Sequence, residues 1–213
     1  MSTFKNEDGK SVLLAMVKGI QENKAYLGEV DGLIGDGDHG MNMNKGFSLF
    51  EQRFADENIT FTEGLDELGI ILFNEIGGSM GPIYGSIFMS MADAGENMTE
   101  ISLEDLASIL AKGLEDLRDI VEAQVGDKTL VDTLSPAVDS LKASAAAGDG
   151  YADALDKMKA AAKTGRDSTK NLVAKFGRSS RLGERSRGVL DAGATSCCII
   201  LTTMADGIKA VLK

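Results

Sequence analysis

Asp31-Gly-Leu-Ile-Gly35-Asp-Gly-Asp-His-Gly40-Met-Asn-Met-Asn44 divides the first helix-forming segment of the chain from the second, and the rest of the sequence is organised around it. Three carboxylates, Asp31, Asp36 and Asp38, fall within eight positions, with four glycines between and just after them. Clustered carboxylates repel one another and raise one another's pKa, so a bound cation is the economical reason to keep them together. The available ligands are hard oxygens with at most one imidazole, a set that favours Mg²⁺ or Ca²⁺ over softer metals. An EF-hand loop begun at Asp36 fails, because Met41 falls where the turn needs Gly and Phe47 where it needs a bidentate Glu. Mg²⁺ takes few carboxylates and completes its shell with water and phosphate oxygens, and three carboxylates suffice for two ions clamping a polyphosphate. One Asp-Gly pair would read as a surface turn. Three Asp with His39 and Asn42 at a helix start read as a site.

Outward from this loop the chain is helical. Only two prolines, no Trp and few alternating β-branched runs occur among 213 residues rich in Ala, Leu, Met, Lys and Glu. Breakers delimit eight predicted helices: Lys10–Leu27, Met41–Ala55, Thr62–Glu75, Pro82–Asn97, Leu103–Val125, Leu130–Ala147, Tyr151–Phe176 and Ala194–Leu212. Ser102 and Asp105 have the spacing of a capping box, and Gly150 and Gly177 stand where helices stop or start. Short connections make neighbours antiparallel, as in an up-and-down bundle. With 43% hydrophobic residues, residues 1–213 are read as one domain.

A net charge of −11 argues against nucleic acid and anionic membrane as partners. No uninterrupted apolar run approaches the ~18 residues of a span, and the N-terminus lacks the apolar core of a signal peptide, so a cytoplasmic location is expected. Cys197 and Cys198 are adjacent, which suits reduced core thiols rather than a strained disulfide.

Three further stretches bear on chemistry. Gly77-Gly-Ser-Met-Gly81-Pro82 places a glycine turn before a helix start, where free N–H groups and the helix dipole suit phosphate; a plain turn reads equally well. Gly126-Asp127-Lys128-Thr129 precedes a helix and reads as a cap, with Lys128 in solvent. Arg178, Arg181, Arg185 and Arg187 form a positive arm on an acidic chain, in a connection longer than usual. His39, the single histidine, is read as a nucleotide or metal-water contact, and the methionines as core filler, a few of them a soft wall for a flat base.

These four motifs, in this order and across nearly the whole chain, resemble the L subunit, the nucleotide-binding part, of dihydroxyacetone kinase. The resemblance runs through Gly35–Phe47, Gly77–Gly85, Gly126–Thr129, Gly177–Ser186 and Asp191–Ser196. It implies an all-α, eight-helix antiparallel barrel with ADP or ATP at one end, held through two Mg²⁺ ions. By similarity Asp31, Asp36 and Asp38 bind the metals, and His39, Gly40, Met41 and Asn42 line the nucleotide. Ser79, Met80, Leu130, Arg178, Asp191, Ala192 and Gly193 complete the pocket, with Arg178 the catalytic residue. The implied partners are a separate K subunit carrying the small keto-sugar and a phosphohistidine protein of a phosphotransferase system that converts ADP to ATP in place. A homodimer is one assembly the resemblance permits.

The sequence departs from the pattern usual in that family. Met80 replaces a hydroxyl residue of the glycine turn, Ala192 replaces the usual Pro, and Val121 stands near a frequent Gly. A kinase for another small ketose, such as a tetrulose, is the close alternative. A binding module like the nucleotide domains of fatty-acid kinases is the rival from another class, and His39 following Asp38, where those have Thr, counts against it. A purely structural bundle is the remaining one.

Overall fold

The structure, a computed structural model, describes residues 2–213. Among the described residues nine α-helices account for almost all of the regular structure: α1 (Lys10–Glu22), α2 (Lys24–Gly32), α3 (His39–Phe54), α4 (Phe61–Glu75), α5 (Met80–Gly95), α6 (Leu103–Ile120), α7 (Val131–Ala147), α8 (Tyr151–Ser168) and α9 (Ala192–Val211). The all-α expectation holds. Eight predicted helices become nine because the first breaks at Asn23, whose side-chain amide turns back to donate to the Gly19 carbonyl at 2.8 Å. An Asn that bonds its own preceding turn competes with continuation of the helix.

Local signals set most of the ends. Thr60 with Glu63 and Ser102 with Asp105 form complete capping boxes at the starts of α4 and α6. Gly148 ends α7 in the left-handed conformation, at φ 72°. Two-residue strands, β1 (Phe4–Lys5) and β2 (Glu100–Ile101), pair antiparallel and tie the N-terminus to the α5–α6 connection.

Packing follows chain order and closes on itself. Here α1 packs on α3, and each later helix packs on its successor until α9 returns to α1; α2 packs on α3 and α9. The ring encloses Phe47, Phe50, Phe88, Leu65, Leu117 and Met158, all essentially without solvent contact. One end is sealed by Phe4, which meets Phe61 edge to face at 5.5 Å, and by Asn6, whose amide bonds Thr62 and Met98. The other end receives the connections 33–38, 76–79, 121–130 and 169–191, so α3, α5, α7 and α9 all begin there and their neighbours end there.

Helix α9 is long and apolar enough to cross a membrane by length and composition, which reading the sequence for an uninterrupted apolar run did not flag. Its most apolar window is 61% buried against other helices, as in a core helix.

Candidate functional site

A cavity of about 310 Å³ opens at the end where the four connections converge, within the range of small-molecule sites. Four helices start at its wall. His39 begins α3, Met80 begins α5, Leu130 precedes α7 and Ala192 begins α9, and all four residues line the cavity. The N-cap residues of α3, α5 and α7 make no side-chain cap bond, although the His39 N–H reaches the Asp31 carboxylate and the Val131 N–H the Thr129 hydroxyl, so most first-turn N–H groups and the positive ends of the helix dipoles are directed to this end.

The negative complement is the acidic loop. Asp31, near the end of α2, and Asp36 and Asp38, before α3, each offer one carboxylate oxygen, the three lying within 4.8 Å of one another. Ligands of one octahedral Mg²⁺ stand ~3.0 Å apart when adjacent and ~4.2 Å apart when opposite, so the three oxygens lie close enough to draw together around one hard cation or to hold two between them. The loop is held by close approach. A Cβ on Gly40 would lie 2.0 Å from the Lys24 carbonyl oxygen, so only glycine lets α3 start against α2. The Gly35 N–H donates to the Asp31 carbonyl at 2.5 Å, and the His39 N–H reaches the Asp31 carboxylate at 3.4 Å.

His39 is 5% exposed and anchored from behind. Its Nε2 lies 2.9 Å from the Ser196 hydroxyl, which lies 2.8 Å from the Tyr84 phenol; Ser196 and Tyr84 each reach the Gly193 carbonyl at 3.1 Å. Burial pushes the imidazole below its ordinary pKa against the pull of Asp31 and Asp38, and pushes the phenol well above its own. These contacts join α3, α5 and α9.

Lys128 corrects the solvent-facing expectation. It is 1% exposed, adopts φ 62°, and its ammonium donates to the carbonyls of Thr169 and Val189 while lining the cavity. A left-handed non-glycine residue costs free energy and persists where its surroundings fix it. Burial lowers its pKa; Asp191 and Asp132 oppose that. Asp132, also buried, is bonded by the N–H groups of Gly126 and Thr129 at 2.6 and 2.8 Å. Asp191 caps α9 by accepting from Ala194 at 2.7 Å, and burial raises its carboxyl to about 6. Neither Lys128 nor Ser196 has a spacing that announces such a role.

Of the four arginines, only Arg178 lines the cavity, where it pairs with Asp36. Arg187 pairs with Glu184 and bonds Asn171, outside the lining, while Arg181 and Arg185 are exposed. The cavity also collects Asn42, Ser79, Met80, Leu130, Ala192 and Gly193 from the predicted set; Gly40 is packed behind the wall and Met41 projects outward, 59% exposed. Ile34, Ile83 and Phe176 add apolar lining.

Comparison with known proteins gives a consistent result. The profile of the DAK2 domain matches residues 33–206. The "PEP-dependent dihydroxyacetone kinase 1, ADP-binding subunit DhaL" of Listeria innocua is 36% identical over 87% of this chain and 88% of its own length. The corresponding "PEP-dependent dihydroxyacetone kinase, ADP-binding subunit DhaL" of Escherichia coli is 36% identical over 86% of this chain and 88% of its own. A "D-erythrulose kinase" of Mycolicibacterium smegmatis is 29% identical over 97% of this chain, which spans only 37% of that longer protein. The crystal structure of the dihydroxyacetone kinase from C. freundii, solved with AMP-PNP and Mg²⁺, superposes with a TM-score of 0.69 at 20% identity; the match covers 92% of this chain and 33% of that one, a likeness of fold.

Proposed function

From the premise that this chain belongs to the DAK2 domain family, we propose that it is the ADP-binding, phosphoryl-transferring subunit of a dihydroxyacetone kinase. The observation that carries this reading is the convergence of four helix starts on one cavity whose lip holds three carboxylates. Positive helix ends suit phosphate and an acidic loop suits a hard cation, so the two together suit a polyphosphate bridged by Mg²⁺.

In this reading Asp31, Asp36 and Asp38 hold Mg²⁺, two ions by the carboxylate count. His39, Asn42, Ser79, Met80 and Leu130 face the nucleotide, with Gly40 and Met41 forming the backbone of its helix start. Asp191, Ala192 and Gly193 close the pocket, and Ile34, Ile83 and Phe176 offer an apolar wall for the base. Arg178 presents a planar guanidinium to phosphate oxygens, where charge develops during transfer. The bound nucleotide supplies a transferable γ-phosphoryl group. This chain's residues orient it and neutralise its charge.

The acceptor keto-sugar is carried by a separate K subunit, and a phosphohistidine protein recharges the nucleotide; several full-length relatives are named as PEP- or PTS-dependent ADP-binding subunits. Residues 1–213 act as one nucleotide-binding domain in the cytoplasm. A tetrulose in place of dihydroxyacetone is the second reading, favoured by the erythrulose kinases among the longer relatives.

The test is reconstitution with the sugar-binding K subunit of a dihydroxyacetone kinase, over a panel of three- and four-carbon ketoses, driven by ATP or by a phosphoenolpyruvate relay. Transfer to dihydroxyacetone requiring both subunits supports the reading. Ordinary turnover by this chain alone contradicts the division of labour, and turnover confined to a tetrulose selects the second reading.

A further inference from the structure

The hydrogen bonds behind His39 are satisfied more fully by one tautomer of the ring than by the other. Four close contacts link His39 Nε2, the Ser196 hydroxyl, the Tyr84 phenol and the Gly193 carbonyl, at 2.8 to 3.1 Å. The carbonyl only accepts, and each hydroxyl brings one proton. If Nε2 is bare, Ser196 must donate to it, and one phenolic proton remains for three oxygens in mutual contact. If Nε2 carries the proton, Ser196 accepts from both His39 and Tyr84 and donates to Gly193, and three contacts out of four are made.

The opposite face of the ring meets the cavity. His39 Nδ1 has no protein partner, and among the described residues the only buried side-chain polar atom without one is Tyr151 Oη. Nδ1 therefore has access to solvent, and the solvent-accessible space beside His39 is the cavity it lines.

We infer that Ser196 and Tyr84 are positioning residues that fix His39 with its proton on Nε2, so that the Nδ1 lone pair receives a hydrogen-bond donor of the bound ligand. This rests on the reading of the cavity as a Mg-nucleotide site, and it narrows that reading. His39 does not donate to a phosphate oxygen; it accepts from a nucleoside hydroxyl or amino group, or from a water on the bound cation.

The chain has a single histidine, so ¹⁵N-histidine labelling gives one pair of ring-nitrogen resonances and a direct reading of the tautomer. In the free protein, at about pH 8, above the ordinary histidine range, Nε2 is protonated and Nδ1 is not. A proton on Nδ1, or two tautomers in exchange, overturns the inference. Tyr84→Phe retains the Nε2–H form, because Ser196 still accepts from His39. Ser196→Ala loses the preference and weakens Mg-ADP binding about five- to tenfold, the worth of one hydrogen bond. A Ser196→Ala protein that stays wholly Nε2–H denies Ser196 the role; should that variant not fold, the wild-type and Tyr84→Phe spectra decide.

Titration with Mg²⁺ alone and then with ADP separates the sources. A shift of Nδ1 with Mg²⁺ alone identifies metal-bound water, and a shift only on adding ADP identifies the nucleotide. An unmoved Nδ1 under saturating Mg-ADP overturns the contact. No calorimetric binding of Mg-ADP at all would instead remove the site reading, leaving the tautomer to be decided on the free protein.

Discussion

Arg178 and Asp36 come from sequence positions 142 residues apart and meet at the mouth of the cavity, so one arginine of the basic arm reaches the acidic loop. Arg178→Lys keeps the charge but loses the fork that engages phosphate oxygens in pairs. Phosphoryl transfer is expected to fall at least ~10-fold while ADP binding falls less, because an interaction that strengthens as charge develops acts on rate. Stopped-flow transfer beside equilibrium binding measures both, and equal losses would make Arg178 a binding residue only. Lys128 belongs to the same scale. Lys128→Met strips two carbonyls of their donor and leaves Asp132 and Asp191 without their buried counter-charge. Removing one member of a buried charged network typically costs about 3 kcal/mol. Urea unfolding should register a loss of that order, with amide exchange rising first across residues 169–191; an unaffected midpoint would mean that Lys128 is not the fastener of that connection. The clustering of Asp31, Asp36 and Asp38 was legible from the sequence, because eight positions of glycine-rich chain keep the three carboxylates together. Lys128 was not, since burial of an ammonium depends on carbonyls 41 and 61 residues away.

At the scale of helices, composition and breakers located almost every element, and the misses have two causes. The first predicted helix ran through Asn23, whose capping of its own turn is a side-chain event invisible to periodicity. The predicted Leu103–Val125 and Tyr151–Phe176 overran, ending at Ile120 and Ser168, because the chain leaves both helices to build the cavity wall. The α2–α3 junction shows how element packing sets the site. Gly40→Ala places a methyl group against the Lys24 carbonyl and 2.8 Å from the Gly28 nitrogen, so the two helices must separate and carry Asp38 and His39 away from Asp31. Overpacking of this kind costs about 1–3 kcal/mol. Lower stability together with weaker Mg-ADP affinity is the expected result; a protein that binds Mg-ADP as tightly as the parent would show the loop to be indifferent to that junction.

Across the whole molecule, the ring is sealed at one end by Phe4 and Asn6 and left open at the other, where helix starts and carboxylates oppose one another. A ligand that binds only the folded state adds about 4 kcal/mol at a thousandfold excess over its Kd. With roughly 2–4 °C per kcal/mol for a chain of this size, removing metal and nucleotide should lower the melting midpoint by about ten degrees. Amide exchange should rise most around residues 35–44, 77–81 and 177–193 while the sealed end stays protected. The all-α fold was readable from composition and breakers, and antiparallel neighbours follow where a short connection reverses the chain; the return of α9 to α1 rests on contacts between the two ends of the chain, which no local signal carries. The contacts that seal the far end were not readable, because Phe4 and Asn6 act through residues far away in sequence. The account stands most directly on calorimetric titration of the purified chain with ADP, with and without Mg²⁺, beside Asp36→Asn and Asp38→Asn. Tight binding that requires Mg²⁺ and collapses at least ~100-fold in both variants, with helix content unchanged, is the predicted result. Binding that is indifferent to Mg²⁺, or equal affinity in all three proteins, would contradict it.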